Sequence, residues 1–167
     1  MANTVSNVTI AALDSLVIGG TTMGYTGAPF TVSSETVREK FYAEQSFVAI
    51  ISQMTERNVT GGCQLLENTP ENLAILWSLP AANVVTPGGS KILSIDTGDR
   101  GNVALTATGL AGTAPGSSKT RTFSFPQTTV SGAVETQMAK ADISRLEATF
   151  DFLADSNGDV GMMTDTV

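Results

Sequence analysis

Few residues in this chain could do chemistry, and their spacing joins none of them into a working set. Histidine is absent from all 167 residues. The commonest general base and the commonest metal ligand are therefore missing, and Ser-His-Asp and Cys-His mechanisms are excluded. The one cysteine, Cys63, lies in "VTGGCQLLE" with no adjacent base, the setting of a buried, inert thiol. A zinc site built on it would have only carboxylates for company. Asp96 and Asp99 are paired carboxylates in "DTGDRGN" and read as turn formers, because no second charged cluster accompanies them. "DSNGDVG", from Asp155 to Gly161, looks like part of a calcium loop. Its glycine comes two places early, however, and the distal glutamate is missing, so a tight turn between strands is expected. "GGTTMGYTG" has glycines but no Gly-Lys-Ser/Thr ending, so it is a loop and not a phosphate cradle. Lys91, Lys119 and Arg121 are isolated, with no interleaved aromatics on which bases could stack. The expectation is a protein that is not an enzyme and has no metal and no cofactor.

Composition narrows the partners. Nine basic and sixteen acidic residues give 9 − 16 = −7. This argues against strong nucleic-acid binding, which needs Lys and Arg to displace phosphate counterions, but not against lying near nucleic acid without gripping it. Apolar residues make up 41% and charged residues 15%, unlike a disordered chain. The remaining surface is rich in Ser, Thr, Asn, Gly and Ala. Such a surface suits extensive contact with other subunits, and equally an ordinary Ser/Thr-rich β domain. The length fits a single domain, 1–167, with flexible loops and termini and enough residues for a real core. A lone cysteine permits no internal disulfide and is compatible with a reducing compartment. The opening "MANTVSNVTIAALDSLVIGG" lacks a basic leader, and Asp14 interrupts its apolar run, so neither a signal peptide nor a membrane segment is read there.

The elements that must position these residues are mostly strands. Val103, Leu105 and Ala107 alternate with Ala104, Thr106 and Thr108; Phe123 and Phe125 share a face; Leu146, Ala148, Phe150 and Phe152 alternate with Glu147, Thr149 and Asp151. A helix would scatter those aromatics, whereas a strand lines them up. Between the runs lie turns rich in Gly, Asn and Asp. The expected fold is mainly β: an antiparallel β-sandwich or barrel with one flanking α-helix at about 70–79. Thr69 is a good N-cap, Pro70 suits the first helical position, and Glu71 sits where the helix dipole favours a negative charge. Leu73, Leu76 and Trp77 then form a stripe, with Ala74 and Leu79 beside it, that should be buried on the sheet.

"SETVREKFYAE", Ser34 to Glu44, is the least regular strand. One face would carry Arg38, Lys40 and Glu44, and the other Glu35 and Glu39 among Val37 and Phe41. Two readings stay open: an exposed edge or long hairpin whose charges discourage aggregation, or a strand completed by a neighbouring subunit.

The order strand, "LLENTPENL", helix resembles the centre of the phage tail tube proteins, also called major tail proteins. In that family a strand ends in Leu/Phe-x-Leu-x-Glu, and a short helix begins with Thr and has Glu-Asn-Leu close behind. The matching positions are Leu66, Glu67, Thr69, Glu71, Asn72 and Leu73. "ETVREKFYAEQSFVAI" is similar to the family's charged strand and the turn after it, and "KADISRLEATFDFLAD" to its C-terminal strand. The likeness runs over about Gly19 to Gly161. It implies a β-sandwich with a bracing helix, hexameric rings stacked into a hollow conduit, and location in the virion tail after synthesis in the host cytoplasm. The implied partners are copies of itself, other tail proteins and double-stranded DNA in transit without specific binding, with no membrane involved.

On that resemblance, Arg38, Lys40 and Glu44 are expected at a subunit interface. Thr86–Ser90, Gly112–Ser118 and the termini are expected to touch neighbouring rings. The net charge predicts an acidic lumen, with Glu147 and Asp151 the first choice for its wall and Glu35 and Glu39 the second. The same acids read equally as solubilising charges on the outer surface. The competing class is a monomeric β-sandwich module that binds carbohydrate or another surface, although such modules usually display clustered Trp or Tyr.

Overall fold

The computed structural model describes residues 2–24, 26–42, 49, 51–111, 119–131 and 146–166. It is mainly β, antiparallel, with a single α-helix. In chain order the strands are β1 (Ala2–Ile18), β2 (Thr21–Thr22), β3 (Thr31–Phe41) and β4 (Ile51–Leu65). Helix α1 (Pro70–Leu76) follows, then the short β5 (Val84–Val85) and β6 (Ile92–Leu93). The last four are β7 (Val103–Ala111), β8 (Thr120–Ser131), β9 (Leu146–Leu153) and β10 (Met162–Asp165). The pairings run β8-β7-β1-β3-β4-β9, and β9 pairs again with β8, so these strands close a circuit.

Closing the circuit requires strands that change partner along their length. β1 pairs with β3 over Ala2–Thr9 and with β7 over Ile10–Ile18, and its register with β7 shifts between Ile10 and Ala12 and between Leu13 and Ser15. Each extra residue bends the strand and increases its twist. β8 is divided in the same way: Arg121–Ser124 pair with β10, and Gln127–Ser131 pair with β9. Pro126 falls between the two sets, where its missing N–H leaves no gap in either ladder. β9 and β10 thus cover one edge of β8 in succession, separated by the 154–161 excursion. Gly19 and Gly20 turn β1 into β2 with φ of +56° and +81°, the geometry of a two-residue hairpin loop.

The alternation read from the sequence sets the core. Leu105, Ala107, Phe123, Phe125, Leu146, Ala148, Phe150 and Phe152 are all buried, while Glu147 and Thr149 face out. Phe125 and Phe152 stack with ring centroids 3.6 Å apart, joining β8 to β9. Fully burying side chains of this size stabilises by about 1.5–3 kcal/mol each. Gly61 lies under Phe152: a Cβ there would come within 2.6 Å of the ring.

The helix begins as expected and ends early. Thr69 Oγ1 accepts from the Asn72 N–H at 3.3 Å, and Pro70 occupies the first turn. The helix stops at Leu76 and not at 79, because Ser78 takes a left-handed φ of +54°. Ser78 N–H then donates to Ile75 O (3.0 Å) and Leu79 N–H to Ala74 O (2.7 Å), the paired closure of a Schellman end. The buried stripe also differs from expectation. Asn72, Ile75, Leu76 and Leu79 are buried with Ala74, whereas Leu73 and Trp77 are half-buried. The true stripe, at i, i+3, i+4 and i+7, starts on a polar residue. Asn72 is 2% exposed and donates through Nδ2 to Met23 O (3.1 Å) and Glu67 O (3.0 Å). The segment after the helix is tied to both its ends. Lys91 Nζ meets Glu71 Oε1 at 2.6 Å. Arg100 Nε donates to Leu79 O at 2.9 Å, placing a cation just beyond the helix C-terminus.

Candidate interaction surface

The reactive-looking residues are used by the fold. Burial pushes the Cys63 thiol up to about 12, so no nucleophilic thiolate exists near neutral pH. Asp96 Oδ1 accepts from Gly98 N–H (2.8 Å) and Asp99 Oδ1 from Gly101 N–H (3.1 Å); both are turn formers. Asp155 Oδ1 accepts from the N–H groups of Asn157 (2.8 Å) and Asp159 (2.9 Å). These bonds hold its carboxyl below the usual range. Among the described residues no group of three or more His, Cys, Asp or Glu is placed to hold a metal ion. Among the described residues no helix is long and apolar enough to cross a membrane.

What the fold leaves partly unused is the arm formed by the far ends of β3 and β4, with β1 alongside as far as Arg38 and only two strands beyond it. β9 pairs with β4 only between Val59 and Leu65. β1 pairs with β3 no further than Arg38. β3 and β4 continue together beyond those points, Phe41 opposite Ile51, with a register shift after Val37 that leaves Thr55 as the extra residue. Thr55 Oγ1 donates to Val37 O at 3.2 Å and steadies the bulge. Residues 51–58 are all exposed. The arm carries large apolar side chains left exposed: Phe41 is 45% exposed, Tyr42 59%, Ile51 58% and Met54 45%.

Two grooves follow the arm. One, of about 390 Å³, is lined by Val37, Glu39, Lys40, Tyr42 and Thr55. The other, of about 560 Å³, lies at the fork where β4 leaves β9, between Glu35, Arg57, Asn58, Asp151, Leu153 and Val160. Of the acids singled out in the sequence, Glu35 and Asp151 thus share the fork groove and are half-buried. Glu39 lies on the exposed arm. Glu147 is exposed further along β9 and accepts from Gln64 Nε2 at 3.4 Å. The four do not meet as one cluster. Arg38 and Lys40 are exposed on the arm, with no ion-pair partner among the described residues. Glu44 and Gly112–Ser118 lie outside the described residues. Of Thr86–Ser90, the stretch Pro87–Gly89 forms one exposed 3-10 turn.

The stretch beginning at Ser34 forms one side of a long hairpin with β4, as one of the two readings expected, and it is not an edge as far as Arg38, where β3 lies between β1 and β4. Among the described residues, β4 has no partner strand on its other side over "ISQMTERN", Ile51–Asn58. Sequence reading passed over Ile51, Met54 and Arg57 because an edge is defined by where a distant strand stops. No family model matches this chain, and no curated protein matches it in sequence.

Proposed function

We propose that the protein is a structural subunit of a tail-tube assembly, in which hexameric rings stack into a hollow conduit for double-stranded DNA. The observation that carries this reading is the arm. A two-stranded ribbon is marginal in water, yet the far end of the arm, where Glu39–Phe41 pair only with Ile51–Gln53 among the described residues, carries exposed Phe41, Tyr42 and Ile51, with Met54 exposed beside it. Apolar side chains set among charges in this way mark an interaction surface. A closed circuit of strands with a capped, tethered helix supports the same reading, since it makes a rigid unit that assembly need not reshape. The acids Glu147 and Asp151 lie on the face of β9 opposite its buried residues, and a lumen wall of this charge would repel phosphate and let a duplex slide.

Size-exclusion chromatography with light scattering, followed by negative-stain microscopy, tests the reading. Rings or tubes are expected. A monomer at every concentration would overturn it, and glycan affinity in that monomer would favour the binding-module alternative.

A further inference from the structure

We propose that Asn157 is this chain's site of spontaneous deamidation and that Asp155 is the restraint that slows it. The inference is independent of the assembly reading.

The chemistry is local. In an Asn-Gly pair the glycine backbone nitrogen can attack the asparagine Cγ. The N–Cγ bond forms, the Cγ–Nδ2 bond breaks, and ammonia leaves with the proton given up by the glycine N–H. Water then opens the succinimide at either carbonyl and leaves aspartate or isoaspartate. Either product carries one more negative charge than the amide. Glycine favours the attack because it has no Cβ to obstruct the approach and its backbone turns freely. Asn157 is the one asparagine of this chain that precedes glycine; every other precedes Val, Thr or Leu. It lies in an exposed stretch with Ser156, Gly158 and Asp159.

Asp155 holds both reactants away from each other. Its backbone carbonyl accepts the Gly158 N–H at 3.0 Å, which aims the nucleophile's proton at Asp155. Its Oδ1 accepts the Asn157 N–H at 2.8 Å, and its Oδ2 accepts from Asn157 Nδ2 at a longer 3.4 Å. The amide is thereby turned back toward Asp155 and not forward over the Gly158 nitrogen. Asp159 N–H on Asp155 Oδ1 (2.9 Å) and Asp155 N–H on Asp159 O (2.9 Å) close the loop from both ends. Gly158 has a φ of +86°, and a Cβ there would meet nothing within 4 Å. The glycine is therefore required by its backbone conformation and not by crowding. The turn between β9 and β10 needs the residue that makes Asn157 labile, and Asp155 offsets that liability. Isoaspartate at this position would lengthen the backbone inside the turn and put these hydrogen bonds out of register.

Isotope labelling tests both halves of the proposal. Folded wild type, urea-unfolded wild type and Asp155→Ala are incubated at mildly alkaline pH in water enriched in heavy oxygen, which marks each succinimide that opens. Near-ultraviolet circular dichroism shows which samples are folded. Digestion with trypsin in ordinary water cuts after Arg145 and leaves 146–167 as one peptide, since no Lys or Arg follows. Tandem mass spectrometry then locates the label. Label should appear first at Asn157, and faster in the unfolded chain than in the folded one. Folded Asp155→Ala should gain it several-fold faster than folded wild type. Label appearing first at another asparagine would overturn the site. Equal rates in folded wild type and folded Asp155→Ala, or in folded and unfolded wild type, would overturn the restraint. If Asp155→Ala does not fold, Asp155→Asn takes its place. Its amide keeps an oxygen for the backbone N–H groups but presents an NH2 group to Asn157 Nδ2, and the same acceleration is expected. An unchanged rate at Asn157 in that variant would overturn the restraint equally.

Discussion

Arg121 and Asp165 face each other at paired positions of β8 and β10 and join through two parallel hydrogen bonds, Nε to Oδ1 and Nη2 to Oδ2, each 2.7 Å. This fork and the Thr120 Oγ1–Thr166 Oγ1 hydrogen bond of 2.8 Å fasten β10 near the end of its ladder. The hydrogen bonds from Arg121 hold the Asp165 carboxyl below its usual range. A carboxyl depressed in the folded state contributes stability above its unfolded value of about 3.9, and that contribution fades as pH falls through the folded value. The loss therefore comes in acid and not near neutrality. Carboxyl-carbon NMR titration should show Asp165 titrating below the usual aspartate range, and Arg121→Gln should raise it. An unchanged titration in that variant would mean the pair does not persist in solution.

Asn72 is expected to matter more than its polarity suggests. Asn72→Ala removes both donors to Met23 O and Glu67 O and leaves two carbonyls unsatisfied at a buried site. The cost should be about 1–3 kcal/mol, read from the midpoint of denaturant unfolding. A loss below a few tenths of that range would mean water replaces the amide.

Ser78 offers a stabilising change. Its φ of +54° is a conformation glycine adopts without Cβ strain. Ser78→Gly should raise stability by up to about 1 kcal/mol, and Ser78→Val should lower it, because a β-branched side chain tolerates this region worst. Thermal unfolding of the pair checks the order, and a reversed order would refute the helix end described above.

For the proposed conduit, reversing Glu147 and Asp151 to Lys should leave particles assembled but slow DNA ejection, with the defect easing at high salt. Screening acts over about 8 Å at physiological ionic strength, so only wall charges close to the duplex can have this effect. Ejection at the wild-type rate from well-formed particles would place both residues on the outside.

Much of the fold could be read in local spacing. The period-two run Leu146, Ala148, Phe150, Phe152 specified a strand with one buried face, and Thr69 with Pro70 specified where the helix starts. Asp96, Asp99 and Asp155 were legible as turn formers because each bonds backbone only two to four residues away. These features depend on neighbours in the chain. The helix stripe was misjudged by one residue, because Asn72 is buried only through carbonyls that Met23 and Glu67 bring to it. The exposed edge of β4 went unread for a similar reason. Ile51–Asn58 have no second partner among the described residues because β9, whose first residue lies 81 positions after Leu65 in sequence but opposite it in space, ends its pairing at Val59. A strand's faces follow from its own residues; which of its edges stays open is decided by where other strands end, and that exists only once the chain has folded.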